Sequence, residues 1–85
     1  MDYKLSAHAE DELIIRDIPR ALLDSTLQSP QQIIDQEASV KVYQSKVLIG
    51  TTTFLLRAVV AHDTDPPLVI TVYRTTKIDR YWRSE

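Results

Sequence analysis

The 85-residue chain carries 10 basic and 12 acidic side chains, a net charge of −2, with 44% hydrophobic and 26% charged residues. This is the composition of one small globular domain with no overall attraction to a polyanion. The lack of cysteine excludes a disulfide framework, a thiolate nucleophile and a Cys-based zinc site. No apolar run is long enough to span a bilayer, and a single glycine, Gly50, excludes dinucleotide-binding and P-loop fingerprints.

The N-terminus, Met1 to Glu12, is acidic and polar where a secretory signal is basic and then apolar, and the lack of cysteine leads to the expectation of a cytoplasmic protein. Tyr3-Lys4-Leu5 has strand character, but three residues define no period. Ser6 suits an N-cap, its hydroxyl accepting from a backbone N–H of the next turn, with Glu10, Asp11 and Glu12 close to the positive end of the helix dipole. A first helix is predicted from about Ala7 to Arg16, with Ala9 and Leu13 as its apolar stripe and Ile14 broadening it. Pro19 suits the first turn of a second helix that buries Leu22, Leu23 and Leu27. Pro30 restricts Ser29, so this helix stops near Gln28.

From Gln31 the period becomes two. Strands are predicted at Gln32–Gln36, Val40–Ile49, Phe54–His62 and Leu68–Thr75, with Pro66 and Pro67 in the last loop. Short connections favour an antiparallel meander. The expected fold is α+β: two N-terminal helices (residues 1–29) packed on one face of a four-stranded antiparallel sheet, which with the C-terminal segment occupies residues 30–85.

Alternation assigns the faces. Phe54, Leu56, Ala58 and Val60, and Leu68, Ile70 and Val72, are expected beneath the helices, because an unpaired guanidinium there costs several kcal/mol, roughly, in desolvation. Arg57, Thr71 and Tyr73 then share the open face. Charge is divided as well. Residues 1–37 hold three basic and eight acidic side chains, net −5, and residues 38–85 hold seven basic and four acidic, net +3. Any anion site is therefore expected on the sheet side.

The strongest local feature is the end of the chain, Tyr73-Arg74-Thr75-Thr76-Lys77-Ile78-Asp79-Arg80-Tyr81-Trp82-Arg83, where four cations alternate with three aromatics. Cations on phosphates and rings on bases is how single-stranded nucleic acid is bound, and the same composition suits a terminal segment docked by its aromatics. Both readings stand, as does a simply solvated sheet face. His8, at the start of the first helix, is read either as a structural imidazole or as a general base, histidine being the side-chain type suited to proton transfer near neutrality. His62, beside a loop, is expected to be exposed. No metal site or cofactor is called for: the histidines are far apart, and Glu10-Asp11-Glu12 reads as dipole compensation.

Leu5-Ser6-Ala7-His8-Ala9, Leu13, Arg16-Asp17-Ile18, Val42-Tyr43-Gln44, Leu56-Arg57-Ala58-Val59-Val60 and Val69-Ile70-Thr71-Val72-Tyr73-Arg74-Thr75-Thr76-Lys77-Ile78, ending in Tyr81-Trp82, together resemble the bacterial domain-of-unknown-function family 4258. Two departures are Glu12, where that family commonly has arginine, and Asp17, where it commonly has glycine. The family is similar to the RelE/ParE toxin superfamily, which implies a RelE-like fold and, by analogy, an endoribonuclease (mRNA interferase) that acts on free or ribosome-bound RNA and is neutralised by an antitoxin.

Under that resemblance a 2′-hydroxyl attacks the adjacent phosphate without a metal. Arg57 and Lys77 are the candidates for charge stabilisation, Tyr73 and Tyr81 for stacking or proton relay, and His8 for the base. Arg74, Arg80 and Trp82 are the candidates for RNA binding. The alternative is a non-catalytic protein-interaction module of the same fold, acting as a homodimer or on another protein.

Overall fold

The computed structural model describes residues 1–84. Among the described residues eight elements follow one another: β1 (Lys4–Leu5), α1 (Ala7–Ile15), α2 (Arg20–Gln28), β2 (Gln32–Glu37), β3 (Val40–Ile49), β4 (Thr52–Ala61), β5 (Leu68–Thr75) and α3 (Ile78–Tyr81). Among the described residues no helix is long and apolar enough to cross a membrane.

Ser6 caps α1 as its residue type predicts, its Oγ accepting from the Ala9 N–H at 3.0 Å. The helix ends in a Schellman motif: the N–H of Asp17 donates to Ile14 O at 3.2 Å and that of Ile18 to Leu13 O at 2.8 Å. This closure needs a left-handed residue, and Asp17 has φ 52°. Glycine takes that conformation without steric cost, which is the physical reason to expect it there. Ile18 is thereby turned into the core, whereas Ile14, expected to widen the buried stripe, is 80% exposed. Leu23 and Leu27 are the buried apolar residues of α2.

The sheet corrects the expected four antiparallel strands. It has five, in the order β1-β5-β4-β3-β2, and β1 runs parallel to β5 with Lys4 opposite Leu68 and Leu5 opposite Val69. A two-residue strand shows no periodicity, so its pairing depends on the free edge of β5 rather than on local pattern. The β3–β4 hairpin turns through Gly50 (φ 63°) and Thr51 between the pair Ile49 and Thr52. Both long helices lie on one face, over Tyr43, Val47, Leu56, Ala58, Val60, Val69 and Val72.

A second correction concerns β5. Val59 pairs with Thr71 but Val60 with Val69, which leaves Ile70 as an extra residue in a β-bulge. The strand changes phase there. Val69 and Val72 are fully buried beneath the helices, while Ile70, expected in the core, is 38% exposed. The bulge is held from outside: Ser6 Oγ donates to Ile70 O at 2.7 Å, and the Ser6 N–H donates to Val69 O at 3.0 Å.

His62 is also not the free side chain expected. It is half-buried, with Nε2 3.0 Å from the Tyr43 hydroxyl and the two rings stacked.

Candidate functional site

The face away from α1 and α2 is built around one cross-strand row. Gln32 pairs with Gln44, Gln44 with Arg57 and Arg57 with Tyr73, so four polar side chains cross β2, β3, β4 and β5 at one level. Arg57 Nε donates to Gln44 Oε1 at 2.9 Å, and Arg57 Nη1 donates to the Tyr73 hydroxyl at 2.5 Å. Gln44, fully buried, donates from Nε2 to Gln32 Oε1 at 2.7 Å and to the Tyr81 carbonyl at 3.2 Å.

This face is not open throughout. Downstream of β5 the short helix α3 and residues 82–83 fold back across the row. The Tyr81 ring lies 4.3 Å from the Arg57 guanidinium carbon and meets Tyr73 edge-on at 6.3 Å, and Lys46 Nζ lies 4.1 Å from the centre of the Trp82 ring. The docked-segment reading of the aromatic tail therefore holds for Tyr81 and Trp82. What remains accessible is a cleft of about 290 Å³ lined by Ile34, Asp35, Gln36, Val42, Arg57, Val59, Tyr73 and Arg83.

Electrostatically, Arg57 is the unusual group. It is half-buried, yet among the described residues it forms no ion pair, whereas Arg16, Arg20 and Lys41 are paired with Glu12, Asp24 and Asp35. Its hydrogen-bond partners are neutral. A carboxylate would cancel its charge; a glutamine and a phenol fix its direction and leave the charge available.

The sequence candidates divide. Arg57, Tyr73 and Tyr81 come together. His8 lies at the margin of the same face, its Nε2 3.1 Å from the hydroxyl of Thr71, which stands opposite Val59. Lys77 is exposed at the start of α3, and Arg80 is exposed with its guanidinium carbon 5.6 Å from the Tyr81 ring centre. Arg74 is a correction to the expected single basic surface. It pairs with Leu56 and so belongs to the helix-covered side, where its guanidinium carbon lies 4.4 Å from the Phe54 ring beside a separate cleft shared with Arg16.

Gln32 and Gln44 were not legible as site residues, and Arg83 was legible only as one of the four cations of the terminal segment. Glutamine has no diagnostic spacing, and only the register aligns two of them with Arg57.

Residues 5–74 match the family described as Domain of unknown function (DUF4258). The chain belongs to this family. No curated protein and no solved structure matches it. The DUF4258 match contains His8 and the whole Gln32–Gln44–Arg57–Tyr73 row, and it ends before Lys77, Tyr81, Trp82 and Arg83.

Proposed function

We propose that this DUF4258 protein is a RelE-like toxin, a metal-independent RNA endonuclease (mRNA interferase) held in check by an antitoxin protein, with the Arg57 cleft as its phosphate site. The observation that carries the reading is the half-buried Arg57 guanidinium, aimed by Gln44 and Tyr73 and free of a carboxylate partner. Two helices on one face of a mostly antiparallel sheet support the RelE-like assignment.

In the proposed reaction the RNA 2′-oxygen attacks the adjacent phosphorus in line, its proton passes to a base, and the P–O5′ bond breaks. The 5′-oxygen takes up a proton, leaving a 2′,3′-cyclic phosphate and a 5′-hydroxyl. Arg57 stabilises the charge that develops on the phosphoryl oxygens. The Tyr73 hydroxyl accepts from Arg57, so its own proton points elsewhere and is available to a phosphoryl or leaving oxygen. His8 is the base, reaching the face from its margin beside Thr71. The Tyr81 ring covers the guanidinium at 4.3 Å, and the exposed Lys77 and Arg80 extend positive charge toward flanking phosphates, on free or ribosome-bound RNA.

The test is induced expression in a bacterial host with mapping of RNA 5′-ends. Growth arrest with new 5′-hydroxyl ends is expected from the wild type, and cleavage about 10²–10³-fold weaker from Arg57→Ala. Unchanged growth and intact RNA with the wild type overturn the proposal.

A second reading, a non-catalytic interaction module, is favoured by one observation: Ile14 and Ile15 are 80% and 75% exposed side by side at the end of α1. It requires a stable homodimer or protein complex on gel filtration, without salt-sensitive RNA binding.

A further inference from the structure

We infer that Arg83 is the second phosphate ligand of the Arg57 cleft, and that Gln32 and Gln44 are positioning residues that hold the Arg83 backbone and the Arg57 guanidinium so that the two arginines form a clamp. This rests on the RNA reading above and names the unit the cleft takes: one phosphodiester of single-stranded RNA with an adjoining ring on the apolar side.

The clamp follows from an unbroken chain of amide contacts. The Gln32 side chain donates to the Arg83 carbonyl at 2.7 Å and accepts from the Arg83 N–H at 3.1 Å. A side-chain amide thus bonds both backbone groups of one residue, as a neighbouring strand does, and fixes Arg83 whatever its side chain. The same Gln32 oxygen accepts from Gln44, and Gln44 accepts from Arg57 Nε. The Arg83 backbone and the Arg57 guanidinium are therefore held by two adjacent glutamines, one of them fully buried with both amide ends bonded.

Both arginines line the cleft, and among the described residues neither forms an ion pair. Its remaining walls are the apolar Ile34, Val42 and Val59 and the polar Asp35, Gln36 and Tyr73, with the Asp35 carboxylate 3.7 Å from Lys41 Nζ. At about 290 Å³ it lies near the lower end of the roughly 300–1,000 Å³ usual for ligand sites, the scale of a single nucleotide unit. Two guanidiniums and the Tyr73 hydroxyl suit a phosphate, and Ile34, Val42 and Val59 offer apolar contact to an attached ring.

The experiment measures binding of a short fluorescein-labelled single-stranded RNA to the full chain across a salt series. Arg83→Ala is expected to weaken binding about tenfold and to lower the salt slope by about 0.7, as loss of one phosphate contact does. Gln32→Ala removes no charge and is expected to reproduce both changes, which a merely structural role does not predict. Wild-type affinity and slope in Arg83→Ala, an exposed position that does not threaten folding, overturn the clamp. Weaker binding by Gln32→Ala with an unchanged slope overturns its positioning role. A wild-type chain that binds no RNA overturns the RNA reading instead. The clamp is then decided by titrating inorganic phosphate while following the Arg57 and Arg83 Nε–H resonances: joint shifts support it, and a shift at one or neither overturns it.

Discussion

On the helix-covered face of the sheet, Leu56, Ala58, Val60, Val69 and Val72 are fully buried against α1 and α2, and on the other face the fully buried residues are Leu55 and the amide of Gln44. The first face gains from removing apolar area from water, roughly 25 cal/mol per Å², and its requirements are volume and shape. The second holds Gln32, Gln44, Arg57 and Tyr73 in one hydrogen-bonded row beneath Tyr81 and Trp82. There each polar atom must find a partner, because an unsatisfied buried amide costs about 1–3 kcal/mol. A single sheet thus separates a face packed for volume from a face that lines a cleft with an arginine that, among the described residues, forms no ion pair.

The largest expected effect lies on the apolar face. Leu56→Ala should cost about 2–5 kcal/mol of global stability in urea denaturation, since the fully buried site cannot collapse around the lost atoms. A loss below about 1 kcal/mol would break the contrast between the faces. Gln44→Ala comes next, at about 1–3 kcal/mol, because it leaves Arg57 Nε and Gln32 without their shared partner. Its distinguishing signature is altered chemical shifts at Tyr81 and Trp82, with the α1 and α2 resonances unmoved. The smallest effect is a gain. Asp17→Gly relieves a left-handed residue and should add about 0.5–1 kcal/mol by the same denaturation assay. RNA affinity should not change, because Asp17 closes the helical layer and touches no part of the cleft. A change in affinity there would show that the two faces are coupled.

How much was legible follows the distance over which each feature is decided. Ser6 as a cap, the stop near Gln28 and the alternation Phe54-Leu56-Ala58-Val60 are local, and the structure agrees with each. Arg57 and Tyr73 on one face also followed from alternation, since no irregularity separates their strands at that level. Ile70 did not follow. Its bulge depends on an N-terminal serine bonding its carbonyl, 64 positions away. Arg74 was grouped with Tyr73 by sequence adjacency, yet adjacent residues of a strand point to opposite faces.

By itself the sequence determined an α+β domain, the ends of the two N-terminal helices, the main strand periods and the placement of excess positive charge in the sheet half, because each depends on backbone preferences within a few residues or on a simple sum of charges. Only the tertiary structure decided that β1 joins β5 in parallel, that a bulge rephases β5, and that Arg83 returns beside Arg57 through Gln32 and Gln44. Those features are contacts between groups with no period or spacing to announce them. They form where register and chain reversal bring partners together, and the bond from Gln32 to Arg83 spans 51 positions.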